Sequence, residues 1–132
     1  MKLYNKKFFE ELEKKAQISE IKRSHFLMHD SHNSPVQRFF MVMLKDSFAA
    51  PHYHPLNHQW ELVQVIEGAV EFVFYDEQGN AKSSEKIGPS HESQFIEIDA
   101  KEIHSLKCLS ERAVLIEIKE GPFDSENAKV VI

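Results

Sequence analysis

The sequence is poor in the features that mark secreted, membrane-bound and nucleic-acid-binding proteins. Its single cysteine, Cys108, excludes an intrachain disulfide and fits a reducing compartment. No apolar run approaches the roughly 20 residues of a membrane helix, and no secretory apolar segment follows the basic start. The 16 Lys and Arg residues are interspersed among 21 Asp and Glu residues, giving a net charge of −5 with no basic stripe for phosphates. We therefore expect a cytoplasmic protein that binds neither membranes nor nucleic acid.

The chain length of 132 residues predicts one domain, 1–132. A chain of this size buries enough surface to fold without disulfides or a structural metal, so a metal ion here would be functional. Apolar residues at helical spacing predict a short amphipathic helix over 5–16, with Asn5 as its N-cap. Residues 24–35 lack a period and predict a loop. An N-terminal extension, 1–35, therefore precedes a predicted β-barrel core, 36–124.

From Val36 onward, short segments rich in Val, Ile and Phe alternate with turn residues. Glu67-Gly68 and residues 76–80 predict hairpin turns, and the polar residues 81–93 predict a loop with at most one weak strand. Successive strands without crossover helices pair antiparallel, so the fold class is all-β, a barrel or jelly roll behind the helix. The predicted strands are 36–44, 48–54, 60–66, 69–75, 94–98, 103–109 and 113–119.

Two histidines and a glutamate are arranged in a way that predicts a metal site. His52 and His54 alternate along one strand, so both imidazoles leave the same face, about 6.6 Å apart. A turn after His54 would fold Glu61 back beside them. Glu61 then shares its strand face with Val63 and Val65, and a carboxylate on an apolar face is costly unless a cation or several donors accompany it.

His104 begins another apolar row, followed by Leu106 and Cys108 on the same face. Cys108 lies about 13 Å beyond His104 along an extended strand, too far to share its ion, and is expected to be a core residue. A histidine alone on an apolar face is more often a core residue than a ligand, so His104 is the weaker candidate. Three imidazoles and one carboxylate suit one divalent transition metal ion, without selecting among Fe, Mn, Ni, Zn and Cu.

These residues resemble the cupin superfamily. Its first motif is His-x-His, a spacer, Glu, six residues and Gly, and here it is His52-x-His54, six residues, Glu61, six residues and Gly68. His104, in IEIDAKEIHSL, stands where the second cupin motif ends. More narrowly, the chain resembles WbuC-type cupin fold metalloproteins over nearly its whole length. The segments that carry this are PVQR at 35–38, PHYHP at 51–55, EIDAKEIHSL at 97–106 and KEGPFD at 119–124.

The resemblance implies a single cupin barrel whose metal ligands are His52, His54, Glu61 and His104. Two departures bear on this expectation. The spacer before Glu61 is longer than in the family, which costs little closure entropy but introduces His58. His58 is then either a loop histidine or a residue that replaces or supports Glu61. In addition, Asp99 and Lys101 stand at the usual Pro and Gly positions, so this loop is expected to change shape.

Three further features are weaker candidates. Arg38 shares a predicted strand face with apolar residues, so an inward guanidinium would need an acidic partner or would bind a ligand. His29 matches a position in the family pattern and is a second substrate-binding candidate, whereas a second ion at His29 and His32 is not expected. Phe39, Met41 and Met43 make the other face of this strand apolar as well, which predicts a covering partner and hence a homodimer.

WbuC-type proteins are often encoded among O-antigen polysaccharide genes. The resemblance therefore implies a metal-dependent enzyme for a sugar or another small polar metabolite, in which the ion polarises a carbonyl or hydroxyl or activates O₂. Two alternatives stay open. One is a module that binds a metal or small molecule without turnover. The other is a metal-free sugar-nucleotide isomerase with histidine as general base, against which the four-ligand set argues.

Overall fold

A computed structural model describes residues 1–132 and shows a two-sheet antiparallel jelly roll with one N-terminal helix, as expected. The elements are α1 (Lys6–Gln17), β1 (Arg23–Leu27), β2 (Val36–Leu44), β3 (Phe48–Tyr53), β4 (Glu61–Glu67), β5 (Val70–Tyr75), β6 (Ala81–Ile87), β7 (Phe95–Ile98), β8 (Ile103–Cys108), β9 (Arg112–Glu120) and β10 (Val130–Val131). A short 3-10 helix, Ser125–Asn127, precedes the last strand. One sheet has the order β1-β2-β9-β4-β7 and the other β10-β3-β8-β5-β6.

The seven predicted strands are present, with ends that agree to within one residue. The predicted 24–35 loop is wrong in its first part, because β1 pairs with β2 there and places His25 opposite Met41. β1 lies at a sheet edge and is half exposed, so its sequence lacks the alternation of a core strand. β6 pairs with β5 through the backbone although six of its seven residues are exposed.

The main core lies between the two sheets. Alternate residues of β2, β4, β5, β8 and β9 point into it, as the period of two requires. The predicted turn at Gly68 is present with φ at +79°, where a Cβ would collide with the Arg112 carbonyl oxygen. The inward side chains that form this core are Met41, Met43, Val63, Val65, Val70, Phe72, Ile87, Ile98, Leu106, Cys108, Ala113 and Leu115.

The helix α1 covers the outer face of β2. Its cap is the predicted one, since the Asn5 Oδ1 accepts a hydrogen bond from the Phe8 N–H at 3.0 Å. Leu12 and Ala16 pack against Phe40, Val42 and Val114 in a second core. Both faces of β2 are therefore covered within one chain, one by the main core and the other by α1. The apolar character that predicted a dimer does not require a partner chain. No helix in the structure has the length and apolar character that crossing a bilayer requires.

Candidate metal centre

A β-bulge decides which way the first two histidines face. Along the β3–β8 pair, Ala49 is opposite Leu106 and His52 is opposite His104, so three steps on β3 match two on β8. An extra residue reverses the alternation of a strand. His52 is therefore buried on the same inner face as Ala49. Pro51 lies inside the bulge, where the lack of an N–H leaves no donor unpaired.

Three imidazoles converge on one point between the sheets. The ring centres of His52, His54 and His104 are 4.5 to 5.8 Å apart, and one nitrogen from each lies within 4.8 Å of the others. Each Nδ1 donates to a backbone carbonyl, which leaves the Nε2 lone pair free for a ligand. The three pairs are His52 with Ala50 at 2.7 Å, His54 with Ala128 at 2.6 Å and His104 with Glu102 at 2.9 Å.

Glu61 completes the cluster from the opposite sheet. It is the first residue of β4 and is only 4% exposed. Its Oε1 lies 3.2 Å from the His54 Nε2, and its Oε2 lies 3.1 Å from the His104 Nε2. The Lys119 Nζ lies 3.0 Å from Oε1. Burial would raise the pKa of Glu61, but His104, His54 and Lys119 outweigh it and hold that pKa well below its usual value.

The donor chemistry of this cluster fits a metal ion. The buried His54 Nε2 has no hydrogen-bond partner, although a Glu61 oxygen is 3.2 Å away. With Nδ1 donating to a carbonyl, that Nε2 and the carboxylate are both acceptors, so a positive charge between them is needed. Ligand atoms bound to one ion at about 2.1 Å and at right angles are about 3 Å apart, close to the two observed separations. The cluster therefore suits a divalent transition metal, whose identity these donors do not fix.

The histidines differ in how readily they take up a proton. Burial, together with the smaller effects of the neighbouring His104 and His54, lowers the pKa of His52 to about 4. His52 is therefore neutral and ready to act as a ligand near pH 7. Burial also lowers the pKa of His104, but Glu61 more than compensates and the net shift is upward. A proton on the His104 Nε2 and a metal ion would occupy the same position beside the Glu61 carboxylate, so each excludes the other.

Sequence reasoning missed Glu117 and Lys119, which lie on the inner face of β9. The Lys119 Nζ is 3.8 Å from a Glu117 oxygen and 5.5 Å from the centre of the Phe39 ring. Burial raises the pKa of Glu117 to about 7, against the lowering effect of Lys119. Burial would lower the pKa of Lys119, but Glu117 and Glu61 raise it, so Lys119 is an ammonium. The sequence did carry a signal for this pair, because two charged residues continue the inward row that begins with Ala113 and Leu115.

Lys101 connects the two histidine-bearing strands. It adopts φ of +71°, the left-handed conformation usual for the glycine that it replaces in the cupin pattern. Its N–H donates to the His54 carbonyl at 2.9 Å. The expected change in the shape of this loop is therefore absent at Lys101. The left-handed conformation costs about 1 kcal/mol, which is offset by the hydrogen bond between Lys101, in the loop before His104, and the His54 carbonyl.

Two cavities meet at the cluster, and His54, Glu61 and Lys119 line both. The cavity that we call outer has a volume of about 260 Å³ and is lined in part by Pro122, Phe123 and Ala128 of the C-terminal segment. The inner cavity has a volume of about 310 Å³ and lies between the sheets. The outer cavity is further lined by His29, His32, Gln37 and Phe123, and the inner one by Arg23, His25, His52, His104 and Glu117.

The remaining predicted residues divide between the cavities and the surface. His29 lines the outer cavity, and its Nδ1 accepts a hydrogen bond from the Arg38 backbone N–H at 3.0 Å. The Arg38 side chain is exposed and lines neither cavity, so its inward orientation was wrong. Gln37 and Phe39 occupy that inner row instead, because α1 covers the face that Phe40 shares with Arg38. His58 lies apart from the cluster, with its Nε2 3.3 Å from the Pro122 carbonyl oxygen.

The fold is a jelly roll of the cupin type, and its three-histidine cluster is one that could hold a metal ion. Known structures with this fold include oxalate oxidase in complex with glycolate (TM-score 0.66, 13% identity, 87% of this chain and 57% of that one). The DMSP lyase DddQ from Ruegeria pomeroyi matches with a TM-score of 0.62 and 14% identity, over 83% of this chain and 51% of that one. Bacillus subtilis oxalate decarboxylase, with its Mn(II) centres, matches with a TM-score of 0.58 and 18% identity, over 74% of this chain and 24% of that one. This chain spans little more than half the length of the first two.

Residues 4–87 match the family described as Domain of unknown function (DUF6016), and the chain belongs to that family. The matched part contains His52, His54 and Glu61 and ends before His104. No functionally curated protein is similar to this chain in sequence. At 13 to 18% identity, the structural likeness establishes the fold and leaves the chemistry to the residues of the site.

Proposed function

We propose that this protein is a metal-binding cupin that holds one divalent transition metal ion with His52, His54, Glu61 and His104. One observation carries this proposal: two buried imidazoles and one half-buried imidazole, each fixed through its Nδ1, direct their Nε2 atoms to one point beside a buried carboxylate. Such orientation through backbone carbonyls is the arrangement that metal-binding histidines use. The Mn(II) centres of the oxalate decarboxylase, which has the same fold, make manganese one candidate ion.

The two cavities favour a small molecule as the second ligand. Their volumes of about 260 and 310 Å³ are at the lower end for ligand pockets, which suits a small metabolite. A bound divalent ion would supply Lewis acidity toward a carbonyl or hydroxyl oxygen. Lys119, between the cavities, would position Glu61, and His29 would contact a ligand in the outer cavity.

The finer assignments from sequence also stand as predictions. They are a WbuC-type cupin of one domain, a sugar-related ligand in polysaccharide biosynthesis, a cytoplasmic location and a homodimer. A thermal-shift screen of the metal-loaded protein against sugars, sugar nucleotides and small organic acids checks the ligand class. Light scattering coupled to size exclusion measures the mass in solution, and a 15.4 kDa particle would contradict the homodimer.

Metal analysis of protein made without a histidine tag tests the site. Wild-type protein should carry about one transition metal ion per chain. His52→Ala, His104→Ala and Glu61→Gln should each lose most of it while circular dichroism shows an intact β fold, because each removes one ligand from a preformed set. His58→Ala is the matched control and should retain the ion, since His58 lies outside the cluster. Full metal retention in all three ligand variants would refute the site.

A further inference from the structure

The walls of the inner cavity carry an excess of positive charge. Arg23, Lys119 and Lys129 are its three permanently cationic residues, against the two carboxylates Glu61 and Glu117. The acids are already engaged, since Lys119 lies within 4 Å of both. With neutral histidines and both acids ionised the lining sums to +1, a protonated Glu117 would make it +2, and a divalent ion would add two more positive charges. A cavity of this kind attracts an anion.

Arg23 is the cation whose donors are least used. It is half buried and forms no ion pair. Its two hydrogen bonds both come from Nη1 and are long, at 3.4 Å to the Ser47 Oγ and 3.4 Å to the Phe48 carbonyl oxygen. A guanidinium has five N–H donors in a planar fork, so its Nε and Nη2 donors have no partner within the protein. This fork matches the two oxygens of a carboxylate.

The rest of the cavity is apolar, which narrows the class of anion. Met41, Ala49, Phe72 and Leu106 line it between Arg23 and the histidines. Burying a doubly charged phosphate against such walls would cost more solvation than burying a singly charged carboxylate on a hydrocarbon body. His25, beside the ring of Phe39, lies on the same wall as Arg23.

We infer that the inner cavity binds a small organic carboxylate, with Arg23 holding the carboxylate group while the body of the molecule extends along the apolar wall toward the histidine cluster. This inference rests on the proposed function, because it names the class of molecule that would approach the metal. It assigns Arg23 a role in binding, which nothing in the sequence motifs indicates. The inference favours an anion over a neutral sugar, because a neutral sugar would leave the Arg23 guanidinium without an anionic partner.

A titration of isotope-labelled, Zn(II)-loaded protein tests this inference. The NMR signal of the Arg23 Nε–H and the backbone amides of β1 are followed as propionate, propionamide or inorganic phosphate is added. Propionamide is the matched control, since it has nearly the shape of propionate but no charge. Propionate should shift the Arg23 signal saturably and bind at least about tenfold more tightly than propionamide, and more tightly than phosphate.

Substitutions then assign the effect to Arg23. Arg23→Met should weaken propionate at least about tenfold, and Arg23→Lys should recover only part of the loss because it lacks the fork. Arg38→Met is the control and should bind like wild type, since Arg38 lines neither cavity. Equal binding of propionate and propionamide, tighter binding of phosphate, or unchanged binding by Arg23→Met would overturn the inference.

Metal content, measured on the same samples, separates the two proposals. Protein that binds zinc but shows no preference for propionate would refute the carboxylate site alone. Protein that binds propionate through Arg23 but holds no metal would refute the metal site alone. If Arg23→Met does not fold, the wild-type comparison of propionate with propionamide and the Arg23→Lys titration decide the result.

Discussion

The two ends of the barrel are built from the same strands but from opposite kinds of residue. At one end, the inner rows of β4, β8 and β9 present Val65, Cys108 and Ala113, each fully buried. At the other end, the same rows present Glu61 and His104, together with the charged residues of β9. The rows change from apolar to polar within two or three side chains.

This difference separates stability from function. Apolar side chains buried between sheets stabilise the fold by about 25 cal/mol per Å² of surface removed from water. Buried imidazoles and carboxylates are costly unless they are paired, and replacing them with apolar residues is often neutral or stabilising. The polar end therefore contributes little that folding requires, and its arrangement is explained by ligand binding.

Cys108 offers the most sensitive probe of the apolar end. Burial raises the pKa of its thiol, so the reactive thiolate is scarce even at pH 8, and the side chain is fully enclosed. We expect a thiol reagent to label the native protein at least about 1,000-fold more slowly than the denatured one. Removing metal with a chelator should change the rate little, and rapid labelling of native protein would contradict a closed apolar end.

Leu115→Ala should cause a large loss of stability. Leu115 is fully buried between the sheets, and truncation leaves a cavity that its neighbours cannot fill. The free energy of unfolding should fall by about 2 to 5 kcal/mol in a urea titration. The metal content per folded chain should stay at the wild-type value. A loss of metal from the folded variant would show that the two ends are coupled.

Much of this division was predictable from the sequence. The alternation of β4 and β8 gives both the strands and their inner faces, and the His52, His54 and Glu61 pattern follows from spacing. Glu117 and Lys119 were missed although they continue an apolar row, because charged residues near the end of a strand are usually exposed to solvent. β1 and β10 were missed because edge strands bury too little to acquire a periodic sequence.

Other features could not be predicted because they are set by tertiary structure. Arg38 was assigned to the inner face because both faces of β2 are apolar, and only the position of α1 decides between them. The bulge that turns His52 inward depends on the pairing of β3 with β8. The Ala128 carbonyl, which fixes His54, has no side-chain signature at all.

Removal of the residues after Asp124 should weaken metal binding at the polar end of the barrel without exposing the apolar end to solvent. It deletes the Ala128 carbonyl that orients His54 and the strand β10 beside β3. Metal affinity should fall about 10- to 100-fold, as for the loss of other orienting partners. Competition with a chromogenic chelator measures the affinity, and Leu115→Ala is the reference for a destabilised chain with an intact site. An unchanged affinity would show that His54 needs no such partner.

Asn5→Ala should have the smallest effect. It removes the N-cap of α1, which packs on the outer face of β2 and not between the sheets. The free energy of unfolding should fall by about 1 kcal/mol, measured in urea, with Asn5→Asp as the conservative control. Metal affinity should be unchanged, and a measurable loss would connect the helix to the metal site.

X-ray absorption spectroscopy of Zn(II)-loaded protein tests the central claim most directly. Zinc bound at the polar end should give a spectrum with the multiple-scattering signature of three imidazoles. It should also show one or more oxygen ligands at a zinc–oxygen distance of about 2.0 to 2.2 Å. His104→Ala should reduce the imidazole count to two in whatever zinc it retains. A spectrum without imidazole scattering, or one that is identical in His104→Ala, would contradict a metal ion held by His52, His54 and His104.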